Sequence, residues 1–300
     1  MGWERRRRAV VAVAVAVSMA TLAACGGRGG NDDPLAGGPP PEDIRLQPGD
    51  RPVRFRLDTA VTEADKAFIV EALGWAHVDL GDSGPLTVHV YSNEDHMVEA
   101  VWSDGGGPRQ EVRQELADGE FAFATGGGHI WIYLPNFEQD PVEDRRWTIY
   151  HEYFHTVQTW LSELRFQSER TEERSFVPRW LVEGCAEYVA ASAASARGIG
   201  TEAPYRGLMV TLTKESDESL ASLGTEGGAG FIGGSGAAYY VGYLGCERLA
   251  TTRGRDGVLH RFWISLANHR DWDKAFKEAF GLTPAAFYAD FEAWRLTLWP

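Results

Sequence analysis

The sequence predicts an α+β protein: an N-terminal mixed sheet with helices, followed by a mainly helical C-terminal half. Three observations predict it. Alternating or apolar strand-like runs, Val53–Leu57, Leu86–Tyr91 and the pair within 121–134, all precede residue 135. From Pro141 onward apolar residues recur almost entirely at helical spacing. No internal repeat interrupts this order, and a few strands followed by many helices is the α+β pattern. Composition agrees: 300 residues with 44% hydrophobic and 24% charged are globular values, and no apolar run is long enough for a polytopic membrane protein. A net charge of −14 argues against nucleic acid as partner, because phosphate binding needs a basic face.

Taken in order, Val53-Arg-Phe-Arg-Leu57 alternates as a half-buried strand does. Thr62 to His77 carries Ala67, Val70, Leu73, Gly74 and His77 on one helical face, and Leu86–Tyr91 is a second strand. Phe121–Thr125, a Gly126–Gly128 turn and His129–Leu134 read as a hairpin that Pro135 stops. Near the C-terminus, Thr283-Pro284 and Asp271 ahead of WDKAFKEAFG are helix starts: a capping side chain, with proline tolerated in the first turn.

The first residues read as an address. Arg5–Arg8 form a basic region and Ala9–Ala24 a short apolar one, the pattern of a signal peptide. Leu22-Ala-Ala-Cys25-Gly resembles the lipobox of bacterial lipoproteins, which implies diacylation of Cys25 and a lipid anchor outside the cytoplasm. An uncleaved anchor helix or ordinary secretory cleavage is the alternative. Loss of residues 1–24 removes four arginines and one glutamate, leaving the mature chain at −17. Residues 25–50 are rich in Gly, Pro and Asp and read as a flexible tether, too poor in apolar surface to offset the entropy of ordering. The folded domain is then 51–300. With Cys25 lipidated, Cys185 and Cys246 remain, either as a disulfide in an oxidising compartment or as two buried thiols.

The chemistry lies in His151-Glu152-Tyr153-Phe154-His155. Two histidines four apart share a helix face, so both rings reach one Zn²⁺, while Glu152 stands beside the water that the metal would polarise. Downstream, Trp180-Leu-Val-Glu183-Gly-Cys-Ala-Glu187-Tyr188 offers Glu183 as the third ligand. Glu187, one turn on, is placed to accept the free ring N–H of a liganding histidine. The intervening stretch ends in Pro178, which suits a new helix antiparallel to the first. A buried helix with two hydrogen-bonded histidines and a solvated acidic face are the bland readings of the two segments. The carboxylates stand among Trp180, Leu181, Val182, Ala186 and Val189, however, and burying them unpaired is costly.

HEYFH followed by WLVEGCAEY resembles the gluzincin zinc metallopeptidases, in particular the peptidase MA-like domains, from about the HIWIYL strand to the C-terminus. The resemblance implies zincin-like (thermolysin-like) active-site helices. It also implies His151, His155 and Glu183 as ligands, Glu152 as general base and a peptide or protein substrate laid along HIWIYL as an edge strand. Related chains carry a tyrosine ahead of the Tyr-Leu pair to stabilise the oxyanion. Here that stretch is GGSGAAYYVGYL, which leaves Tyr239, Tyr240 and Tyr243 as candidates. Two functions follow: a membrane-tethered zinc peptidase outside the cytoplasm, or a catalytically inactive lipoprotein that keeps the scaffold for binding or envelope assembly. Retention of Glu152 favours the first, since a structural zinc site needs no base.

Overall fold

In a computed structural model, which describes residues 39–104, 108–119, 121–125, 127–163, 177–223 and 236–299, the alternating segments become strands of one mixed sheet. The strands are β1 (Glu42–Ile44), β2 (Val53–Leu57), β3 (Thr87–Tyr91), β4 (Ala122–Thr125) and β5 (His129–Tyr133), ordered β1-β2-β3-β5-β4. β2, β3 and β5 run parallel, and β1 and β4 pair antiparallel at the two edges.

Two expectations are corrected by this topology. β5, the HIWIY strand, lies inside the sheet between β3 and β4, so the edge on that side of the sheet is β4. Hairpin partners cannot be ranked as edge or interior from sequence, because the β3–β5 pairing that buries β5 is a non-local choice. Second, Glu42–Ile44 lies within the segment read as tether, yet pairs with β2, and Ile44 and Leu46 pack on the core. The surrounding glycines and prolines mask this short apolar patch in a composition average. The signal segment and Cys25 lie outside the described residues, as does most of the stretch between the two motifs. Among the described residues no helix is long and apolar enough to cross a membrane.

Side chains alternate across the sheet and sort the helices onto its faces. Val53, Phe55, Val88, Val90, Ile130 and Ile132 face α1 (Glu63–Leu80) and α5 (Val142–Ser162) in the main core. Tyr91, Phe123 and Trp131 face a second apolar cluster from α2 (Glu94–Ser103) and α3 (Arg109–Ala117). Helix α1 starts at a capping box, in which Thr62 and Asp65 each accept the other's backbone N–H. Gly128 closes the β4–β5 turn at φ +80°, where a Cβ would lie 2.1 Å from the Pro85 carbonyl oxygen, so only glycine fits.

A short α4 (Leu134–Phe137) leads into α5, and the α-helices that follow are α6 (Arg179–Ala196), α7 (Glu202–Glu215), α8 (Leu220–Leu223), α9 (Ala237–Arg253), α10 (Phe262–His269), α11 (Trp272–Phe280) and α12 (Pro284–Arg295), with a π-helical turn, Gly257–Arg261, ahead of α10. Helix α5 is pinned to α1: Tyr153 Oη donates to the Gly81 carbonyl at 2.8 Å, and Tyr150 Oη donates to Asp79 at 2.7 Å. Arg197, capping α6, also donates to Asp79 at 2.8 Å, so three helices meet at one carboxylate. Helices α6 and α9 touch backbone to backbone where Gly184 faces Gly242, leaving no room for a Cβ on either. Next to this contact Cys185 and Cys246 are joined by a disulfide, with Cα atoms 5.3 Å apart.

Candidate metal centre

The i, i+4 spacing on α5 brings His151 and His155 together with Nε2 atoms 3.0 Å apart. Helix α6 runs antiparallel across them, so Glu183 meets the later histidine and Glu187 the earlier one. Glu183 Oε2 is 3.2 Å from His155 Nε2 and 3.6 Å from His151 Nε2, while Glu187 Oε1 is 3.6 Å from His151 Nδ1. Both glutamates are fully buried, and Glu152 is 4% exposed.

The hydrogen bonds behind the rings decide which nitrogens face inward. Gln158 Nε2 donates to the Val182 carbonyl at 3.0 Å, so its Oε1 is the atom turned to His155 Nδ1, at 2.8 Å. Nδ1 of His155 therefore carries a proton, and Nε2 is the nitrogen turned toward His151 and Glu183. Glu187 holds the corresponding place behind His151, and its other oxygen accepts from Tyr205 Oη. Tyr205 in turn packs against Trp147, ring centroids 4.8 Å apart, and Trp147 against His151. Gln158 and Tyr205 are absent from the sequence reading. Gln158, three residues after His155, could have been found by helical spacing, whereas Tyr205 arrives from another helix and carries no local signal.

Burial and charge oppose each other here. Burial pushes the pKa of His151 down to about 4, and that of Glu187 up to about 8 against the Tyr205 hydrogen bond. Burial would also lower His155, but the Glu183 carboxylate outweighs it and holds that imidazole up at about 9, with Glu152 adding to the pull. For Glu183, burial is overcome by His155, His151 and Arg179, which keep it well below the usual carboxylate range.

The residues fit a zinc ion. A point equidistant from three atoms so spaced lies about 2 Å from each, the length of a Zn–N or Zn–O bond. The two Nε2 atoms face each other across 3.0 Å, a separation that needs a shared proton or a cation between them. Both Glu183 oxygens are buried without a hydrogen-bond donor, and two imidazoles with one carboxylate are a donor set that zinc uses.

Of the tyrosine candidates, Tyr239 lies on the site: its ring stacks on His151 at 6.3 Å and 13°, and Arg179 donates to its hydroxyl at 3.4 Å. Tyr240 is half-buried against the main core, about 100° further round α9. Tyr243 packs its ring on Tyr188 and Tyr205, at 5.7 and 5.6 Å. A cavity opens at the N-terminal end of α5, lined by Phe121, Asp144, Trp147, Thr148 and Tyr205, one turn from His151.

No protein-family model matches the chain, and no curated protein matches it in sequence. Among solved structures it is similar to an M1 zinc metallopeptidase from Deinococcus radiodurans, with a TM-score of 0.50 and 13% identity over 84% of this chain. A point mutant of that enzyme gives 0.51 and 12% over the same share. The chain spans half the length of these structures, and at such identities the likeness establishes the fold alone.

Proposed function

We propose that the protein is a zinc-dependent peptidase, tethered outside the cytoplasm by a lipid on Cys25. The supporting observation is the convergence of His151 Nε2, His155 Nε2 and Glu183 Oε2 in a buried pocket, with Glu152 on the same helix turn. When bound, zinc supplies Lewis-acid chemistry, polarising a peptide carbonyl and lowering the pKa of water toward about 7. Glu152 takes the proton of the attacking water and delivers it to the leaving amine. Gln158 holds the His155 imidazole with its Nε2 inward, and Glu187 is the carboxylate that faces Nδ1 of His151, at 3.6 Å. Tyr239, held by Arg179 and the face of His151, is the donor for the oxyanion. The free edge of β4, packed beside α5, offers backbone groups to an extended peptide.

The inactive-scaffold reading has less support, because a binding module has no use for a buried carboxylate adjacent to the ligand pair. The deciding experiment measures zinc content and hydrolysis of an unbiased peptide library with the full-length protein. Zinc binding without cleavage of any library member would sink the peptidase reading, and zinc retained by both His155→Ala and Glu183→Ala would sink the metal assignment.

A further inference from the structure

On the opposite face of the sheet, away from α5, a second set of ligand atoms converges. His89 on β3 and His129 at the start of β5 point to the same side, since Thr87 pairs with His129 and His89 with Trp131. His89 Nε2 lies 3.0 Å from His129 Nδ1. Asp104, which caps the C-terminus of α2, places Oδ2 3.6 Å from His129 Nδ1 and 3.9 Å from His89 Nε2. We infer that His89, His129 and Asp104 form a second divalent-metal site, separate from the one on α5 and independent of the peptidase reading.

The distances carry the inference. The point equidistant from these three atoms lies about 2 Å from each, again the length of a metal–nitrogen or metal–oxygen bond, so one ion fits with no movement of the backbone. His89 is 1% exposed and stacks on Trp131 with centroids 3.7 Å apart at 15°, which fixes its ring plane. Its Nδ1 is buried without a hydrogen-bond partner, so the polar capacity of the ring is directed through Nε2 into the cluster. Burial, His129 and Arg56 across on β2 all disfavour the charged imidazole, leaving the neutral form that donates a lone pair. Asp104 supplies the negative charge, and its side chain and that of His129 are 37% and 31% exposed, which leaves the remaining coordination positions open to water. Two imidazoles and one carboxylate favour Zn²⁺ or a neighbouring transition ion over Ca²⁺ or Mg²⁺.

The alternative to a metal is a His–His hydrogen bond, with Asp104 a loose companion. Metal analysis of the full-length protein, loaded with Zn²⁺ and then gel-filtered, distinguishes them. Wild type should hold about two zinc ions per chain, and His129→Ala and Asp104→Ala about one each. Both substitutions are at partly exposed side chains, which spares the sheet interior that His89→Ala would open. In a His155→Ala background, Co²⁺ should give visible d–d absorption with the first equivalent, and His129→Ala should abolish it. Unchanged zinc content in both His129→Ala and Asp104→Ala, or no cobalt spectrum in the His155→Ala chain, overturns the second site. Content that does not fall in His155→Ala counts instead against the centre on α5.

Discussion

The two triads share a donor set and a spacing but differ in what stands behind the rings. At the α5–α6 centre His155 has a hydrogen-bond acceptor at its second nitrogen in Gln158, a buried carboxylate, Glu187, stands 3.6 Å from that of His151, and Val182 and Tyr205 hold these two side chains. At the β3–β5 cluster His89 Nδ1 has no partner, and the carboxylate is a third exposed. A buried acidic carboxylate beside two histidines persists only where charge and orientation are compensated from several helices. A partly exposed one can lean on water. The difference teaches that ligand geometry alone does not make a catalytic centre: a base next to the ligands and a braced outer layer exist on one face of the sheet only.

The largest effect that could break this contrast is at Glu152. Glu152→Gln keeps the side-chain shape and removes the base, so hydrolysis should fall by a factor on the order of 10² to 10⁴ with zinc content unchanged. Equal cleavage by the variant would show that catalysis draws on another group, and the centre on α5 would then be no more specialised than the other. Next is the brace. Opening the Cys185–Cys246 bond, by Cys246→Ser with Cys185→Ser, removes a cross-link spanning 61 residues and should lower stability by about 2–4 kcal/mol in denaturant melts. The cystine joins α6 to α9, so zinc affinity should drop at the α5–α6 centre and stay constant at the sheet cluster. A parallel loss at both would mean that the two sites unfold together.

The backing of the rings gives the third test. Tyr205→Phe keeps the ring against Trp147 and frees Glu187 from its hydrogen bond, which should weaken zinc about 10- to 100-fold at the first centre. By the same reasoning the sheet cluster, which lacks such support, should be the first to lose zinc to a graded chelator. If the chelator empties the α5–α6 centre first, the orientation of the rings is not what separates the two.

Legibility in the sequence follows the same division. The α5–α6 centre was readable because its donors lie at helical spacing inside two short segments, and Glu183 and Glu187 are one turn apart. The β4–β5 hairpin and the helix from Thr62 are local and were readable too, although the hairpin's place in the sheet was not. Helices α2 and α3 were missed between Tyr91 and Phe121, since α3 is mostly polar and offers only Val112, Glu115 and Leu116 to the interior. His89, Asp104 and His129 have no motif, because a parallel pairing and a helix end bring together residues that lie up to 40 positions apart. Of three tyrosines in one helix, spacing could not say which would face His151, since that depends on how α9 is rotated by the Gly184–Gly242 contact.

The smallest expected effect is a pH slope in the metal-free protein that the α5–α6 centre carries above pH 6.5 and the sheet cluster only below it. His155 is raised to about 9 from 6.5 and Glu187 to about 8 from 4.5, so in the range 6.5 to 8 the folded chain binds more protons at both groups than the unfolded chain does. The contribution of Glu187 is therefore complete below 4.5 and lost by about 8, and that of His155 is complete below 6.5 and lost by about 9. His89 and His129 are lowered by burial, so their contribution runs the other way and declines as pH falls below 6.5. Zinc requires deprotonated donors, so the gain in melting temperature on adding it should grow from pH 6 to pH 8. The check is a series of melts of chelated and zinc-loaded protein across that range, with Glu187→Gln as control. A chelated wild type whose stability is flat above pH 6.5, or a Glu187→Gln slope equal to wild type, would show that Glu187 is not held protonated by its burial between α5, α6 and Tyr205.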